Sequence, residues 1–207
     1  MAGDETDESL LARFARGEPE ALDALVARHG GTVYAFLRRF LGGAAPSAAT
    51  SPVADDCYQE VWLKVIRHAG KFEGRSRFTT WLFQIARNVC LDARRAKKRR
   101  PDPSSLEREG GAIEGEATSL REHVADPGPG TDERAASREE QAAVTAALAT
   151  LPDEQREVVL LRETTGLTFE EIGALAGLST NTVKSRMRYA LQNLRRALDP
   201  GAVRHGV

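Results

Sequence analysis

Metal and disulfide chemistry are nearly excluded at the outset, because the 207-residue chain has two cysteines and four histidines. Cys57 and Cys90 stand in no CxxC or Cys/His cluster, and His29, His68, His123 and His205 add no metal-ligand spacing. The expectation is two reduced packing residues in a cytoplasmic protein, with no cofactor and no metal. Long apolar runs are missing too. None nears the ~18–20 residues that span a bilayer, and the acidic N-terminus does not read as a signal peptide. Direct membrane insertion is not expected. There is no nucleophile–base set and no Gly-rich phosphate loop, so an enzyme is disfavoured. Strand-like alternation is also absent. What remains is an all-α chain.

Net charge of one sign is lacking as well, since the whole chain carries only −1. That average hides a segregation. Arg94–Arg100 holds six basic residues in seven, and Leu178–Leu198 holds five basic and no acidic residues, whereas Pro101–Ala136 holds nine acids against three Arg. Two basic tracts buffered by an acidic connector point to nucleic acid in spite of the balanced total.

The apolar periodicity divides the chain into two helical pieces. Met1–Glu8 reads as a frayed acidic end, with Ser9 capping a first helix and Pro19 opening a second. Leu22, Leu25, Val26, Val33, Tyr34, Phe36, Leu37, Phe40 and Leu41 carry the stripe of that second helix, and Gly30-Gly31 inside it predicts a weak point. Gly42–Val53 reads as a loop. Asp55 or Asp56 then caps a helix to about Ala69, with Val61, Trp62, Val65 and Ile66 inward and Asp56, Gln59, Glu60 and Lys64 outward. After a basic loop, Gly70–Thr79, a helix capped by Thr79 or Thr80 buries Trp81, Leu82, Ile85, Ala86 and Val89. It displays Gln84, Arg87 and Asn88, runs out in RRAKKRR and stops at Pro101. Residues 101–136 have too few large apolar side chains to offset chain entropy and read as a flexible acidic linker. Helices resume at about Ser137 and again at LPDEQREVVLLRE.

The last stretch is the most specific. Thr168 and Glu171 spell a capping box, and Gly177 can end that helix in the left-handed conformation. In the following helix Val183, Met187, Ala190, Leu191 and Leu194 would face inward. Asn181, Lys184, Ser185, Arg188, Gln192 and Arg196 fall on the opposite side. A slim helix with this outer face suits the DNA major groove, where Lys or Arg can pair with guanine acceptors. Lys184, Ser185 and Arg188 stand where a recognition helix meets base edges. Thr182, Arg186, Arg195 and Arg196 are suited to phosphates. In the first piece, Phe72, Arg75, Arg77 and Phe78 beside Gln84, Arg87 and Asn88 combine aromatics, cations and amides, the mixture that unpaired bases and their phosphates need.

Two stretches resemble one family. DCYQEVW and RFTTWLFQIARN look like the second conserved region of bacterial RNA polymerase sigma factors. LP–QREV–L, F-EEIG and NTVKSR resemble the fourth, in the style of the extracytoplasmic-function (group IV) branch that keeps only these two domains. The matches cover roughly two-thirds of the chain, in the family's order. The Gly42–Val53 loop and the linker both look longer than is usual.

The resemblance implies a region 2 domain over 1–100, an acidic linker over 101–136 that threads the polymerase cleft, and a helix-turn-helix region 4 domain over 137–207. It implies that Asn181, Thr182, Lys184, Ser185, Arg186, Arg188 and Tyr189 meet the minus-thirty-five element of double-stranded promoter DNA. Phe72, Arg75, Arg77, Phe78, Gln84, Arg87 and Asn88 would capture the minus-ten element as single strand. Asp56, Gln59 and Glu60 would dock on the β′ clamp helices of core RNA polymerase, with the β flap a further contact, and an anti-sigma factor is an expected partner. The alternative is a helix-turn-helix regulator of duplex DNA with an N-terminal sensor domain, which would not need the single-strand surface.

Overall fold

The computed structural model describes residues 5–41, 51–99 and 142–198, and among these every regular element is helical. Four helices form the first bundle: α1 (Asp7–Ala15), α2 (Pro19–Phe40), α3 (Pro52–His68) and α4 (Phe78–Arg99), with a 3-10 turn at Ala69–Lys71. The second holds α5 (142–150), α6 (Asp153–Thr165), α7 (Phe169–Ala176) and α8 (Thr180–Leu198). The linker expected over 101–136, most of the Gly42–Val53 loop and Arg100 lie outside the described residues.

The aromatic residues of α2 and α4 make the first core. Phe36 packs edge-on to Phe83 at 5.3 Å and beside Phe40 at 5.5 Å, and all three are buried. Each such side chain removed from water contributes about 1.5–3 kcal/mol. α3 adds Val61, Trp62 and Val65, but Ile66 is exposed, contrary to its expected inward position. The apolar arc of α3 is narrower than a four-residue stripe implied.

Several helix starts differ from the sequence reading. Thr6, not Ser9, caps α1, accepting the Ser9 N–H at 3.2 Å. Of the acidic end, residues 1–4 lie outside the described residues, and Asp7 and Glu8 are tied down rather than frayed. Asp7 meets Arg28 at 2.5 Å and His29 at 2.7 Å, and Glu8 accepts the Phe78 N–H at the start of α4 at 2.7 Å. Helix α3 begins at Pro52, while Asp55 accepts a hydrogen bond from the Tyr34 hydroxyl at 2.8 Å. Helix α2 passes unbroken through Gly30-Gly31.

The second bundle is built on α6, which buries Val158, Val159, Leu160 and Leu161. The two bundles also touch. α2 and α4 pack on α6, and α4 packs on α7.

Candidate nucleic-acid interface

Local chemistry sets the angle between α7 and α8. Thr168 and Glu171 form the capping box, with the Thr168 N–H donating to Glu171 at 2.8 Å and the Glu171 N–H donating to the Thr168 hydroxyl at 3.2 Å. Gly177 closes α7 at φ 70°, a conformation that costs Gly nothing sterically. The Leu178 N–H then donates to Gly173 O at 2.8 Å, drawing the turn against the helix it leaves. Ser179 caps α8 through the Thr182 N–H at 3.1 Å. Upstream, Arg162 donates to Leu167 O at 2.6 Å and lies over Phe169, fixing the turn between α6 and α7.

Val183, Met187 and Ala190 bury the inner face of α8, whereas Leu191, expected inward, is 56 % exposed. The inner stripe is therefore shallower than the periodicity suggested. Asn193 donates to Gln155 at 2.8 Å and Arg186 meets Glu154 at 2.6 Å, so both pin α8 to α6. The outward face keeps Asn181, Lys184 and Arg188 exposed. The Ser185 hydroxyl donates back to Thr182 O at 2.9 Å, leaving its lone pairs as the outward function. Arg188 lies over the Tyr189 ring at 4.9 Å and reaches its hydroxyl at 3.2 Å. A shallow depression of about 660 Å³ runs along this face, with Lys184, Arg188, Gln192 and Arg195 on its walls. With no carboxylate in Thr180–Leu198, the face is a strip of donors and positive charge suited to phosphates and guanine edges.

The first bundle places its candidates less uniformly. Arg75, Gln84 and Asn88 are exposed, with Arg75 beside Glu73 at 2.5 Å. Phe72 is half-buried against Trp81 at a ring distance of 5.3 Å. Phe78 is fully buried between His29 and Trp81, so its ring serves the core and is not presented to a base. Arg77 pairs with Glu171 at 2.7 Å, and Arg87 pairs with Glu157 in a bond where both side chains are mostly buried. The structure thus brings Arg77 and Arg87 to acids of the second bundle. Glu157 was not singled out in the sequence, and Glu171 was singled out only as the capping-box partner of Thr168, because a carboxylate near a helix start reads as a local partner whatever else it does.

On α3, Asp56 and Gln59 are exposed and Glu60 half-buried near Lys64 at 3.7 Å. Val53, Leu63 and Ile66 are exposed on the same helix, 44–53 % in each case. An apolar strip within an acidic and amide rim is the composition of a protein-binding surface. Cys57 and Cys90 are both free and buried, and burial pushes both thiols up, keeping them protonated and unreactive. Among the described residues no cluster could hold a metal, and no helix is long and apolar enough to cross a membrane.

The comparisons with known proteins agree with the two helical bundles. The family model for Sigma-70 region 2 matches residues 25–100, and that for Sigma-70, region 4 matches residues 147–196. The RNA polymerase sigma-H factor of Pseudomonas aeruginosa is 32% identical, over 97% of this chain and 97% of its own. The ECF RNA polymerase sigma-E factor of Escherichia coli K12 is 31% identical, over 94% of this chain and 95% of its own. Among solved structures, CnrH in complex with the cytosolic domain of CnrY is 26% identical with a TM-score of 0.63, covering 94% of this chain and 98% of that one. The sigma factor RpoE of Bartonella quintana, solved with the anti-sigma factor NepR, shares the fold at a TM-score of 0.59 and 23% identity, over 86% and 96% of the two chains. With regions 2 and 4 in order and relatives matched end to end, the chain belongs to the extracytoplasmic-function branch of the sigma-70 family, the sigma factors that direct RNA polymerase to promoters.

Proposed function

We propose that α8 reads the minus-thirty-five element through Lys184, Ser185 and Arg188, with Asn181, Thr182 and Tyr189 at its margins. The observation that carries this is the acid-free polar face of α8, held outward by the Gly177 turn and by the ties to α6. Arg186 acts on phosphate only after leaving Glu154. Arg75, Gln84 and Asn88, with Phe72, Arg77 and Arg87, form the single-strand surface for the minus-ten element, and Phe78 supports it from the core. Strand opening then draws on binding energy alone, without ATP. Asp56, Gln59 and Glu60, joined by Val53, Leu63 and Ile66, dock on the polymerase clamp helices, and the second domain adds the β flap. The domains divide at 1–100, 101–136 and 137–207. Work in the cytoplasm, where polymerase acts, and a restraining anti-sigma factor complete the reading. The likeness to CnrH bound to the CnrY cytosolic domain supports such a partner.

The residue assignment separates by experiment. Lys184→Ala or Arg188→Ala should lower selectivity between duplex sites by about 1–3 kcal/mol while pull-down of core polymerase stays at the wild-type level. Gln59→Ala with Leu63→Ala should do the reverse. Loss of polymerase binding in the α8 variants, with selectivity intact, would contradict the assignment.

A further inference from the structure

We infer that α1 is the positioning element of the single-strand surface, and that Glu8 holds the loop of that surface in its base-capturing shape. The inference rests on the reading of the loop before α4, and of α4 itself, as the minus-ten contact. The Sigma-70 region 2 model begins at residue 25, so α1 stands ahead of the matched segment. It is nevertheless part of the bundle, with Leu10 and Leu11 buried in the core. It also meets both ends of the loop. α1 packs on the 3-10 turn Ala69–Lys71, where the loop leaves α3, and on α4, where the loop ends. At that exit Glu8 accepts the Phe78 N–H at 2.7 Å. Thr79 and Thr80, expected to cap α4, stand inside the helix, and the side chain of Arg77 ahead of it has no acceptor to offer. The cap therefore comes from 70 positions away.

The neighbouring acid braces the same point. Asp7 lies 2.7 Å from His29 Nε2 and 2.5 Å from Arg28 on α2, and the His29 ring packs on Phe78 at 5.4 Å. Successive acids of α1 thus brace one residue, Glu8 through its backbone and Asp7 through the ring of His29. The loop entry is tied to the exit by Trp81, whose ring lies 5.3 Å from Phe72 and 6.1 Å from Phe78. Between these anchors residues 73–77 are exposed, with Gly74 at φ 67°. A loop with so little packing of its own takes its shape from its ends. An N–H at a helix start needs a cap or water, and without Glu8 the first turn of α4 is free to fray. The loop would then sample more shapes, and the cost of ordering it would fall on binding.

Binding of a short fluorescein-labelled single strand to the full chain assembled with core polymerase tests this. The strand is the minus-ten segment of a template that the wild type transcribes. Glu8→Ala should bind it about three- to tenfold more weakly than wild type. Glu8→Gln keeps a carbonyl acceptor for the Phe78 N–H and should bind at least as tightly as wild type. Both variants lose the same negative charge, so a purely electrostatic effect would move them alike. Val61→Ala weakens the same bundle through the core of α3 and should bind the strand as wild type does. Equal affinities for Glu8→Ala and Glu8→Gln, or equal losses for Glu8→Ala and Val61→Ala, overturn the inference. Arg75→Ala/Asn88→Ala reports on the surface itself. If that variant binds weakly while Glu8→Ala matches wild type, positioning by α1 falls and the surface stands. If it binds as wild type does, both fall.

Discussion

Two glycines in helical positions carry opposite demands. A Cβ at Gly173 would sit 2.8 Å from the backbone carbonyl of Leu178, which belongs to the turn and cannot move aside as a flexible side chain would. Gly31 is exposed within α2, and a Cβ there would meet nothing within 4 Å. Gly173→Ala should therefore destabilise the protein by about 1–3 kcal/mol, the usual cost of forced overpacking. Gly31→Ala should stabilise it by up to about 1 kcal/mol through helix propensity. Urea midpoints of the two variants check both signs, and a neutral Gly173→Ala would mean that the α7–α8 turn is looser than described. The neighbouring Gly30 shows what a sequence hides. Its pairing with Gly31 suggested a weak point, but α2 is continuous, and a Cβ at Gly30 would come 2.5 Å from the Tyr58 hydroxyl of α3. A glycine kept for close approach and one that merely loosens a helix look alike until the facing helix is in place.

At the scale of elements, the caps decide where helices stop. Arg156 is buried and donates to the carbonyls of Leu148 at 2.8 Å, Ala149 at 2.8 Å and Leu151 at 2.9 Å, closing the C-terminal end of α5 and its turn from the next helix. Arg156→Met keeps the length of the stem but strands three acceptors, so a loss of about 2–4 kcal/mol is expected in denaturant titrations. The capping box of α7 adds a pH dependence. The Thr168 N–H first, and the Arg77 guanidinium second, hold the Glu171 carboxyl below its usual range. A depressed carboxylate contributes stability that is fully present above the unfolded value and lost as pH falls through the folded one. Glu171→Gln should thus be less stable than wild type at pH 7, with the gap narrowing below about pH 4. A gap that widens in acid would refute this origin.

Caps of this second kind were legible in the sequence because both partners lie three residues apart, and the Thr168–Glu171 box and Gly177 stand as read. Starts set by distant partners were not. Asp55 or Asp56 was expected to cap α3, yet Asp55 accepts from Tyr34 and α3 begins at Pro52, ahead of both. The widths of apolar stripes were also beyond a one-dimensional pattern. Ile66 and Leu191 keep helical spacing with their buried neighbours but fall just past the edge of the contact and stay exposed.

For the whole molecule, the balanced net charge and the segregated basic tracts take on a structural meaning. Carboxylates of α6 and α7 cover arginines of the first bundle, so the chain stores part of its positive surface against its own acids. The two-piece helical plan and the outward face of α8 followed from local patterns and from motifs such as NTVKSR. The meeting of α4 with α6 did not, since Arg87 and Glu157 are 70 positions apart and each has an adequate local explanation. Phe78, grouped with base-contacting residues by its place beside Arg75 and Arg77, belongs to the core for the same reason: its partner His29 comes from another helix.

The central claim is that this chain supplies promoter choice to a polymerase lacking it, through the outer face of α8. Run-off transcription with purified core polymerase on a panel of promoter templates measures that directly. The wild-type protein should produce start-specific transcripts that are absent from core polymerase alone. Arg188→Ala should lose or scramble template preference while still co-purifying with the polymerase. Equal initiation with and without the protein, or an Arg188→Ala variant that keeps full template preference, would contradict the account.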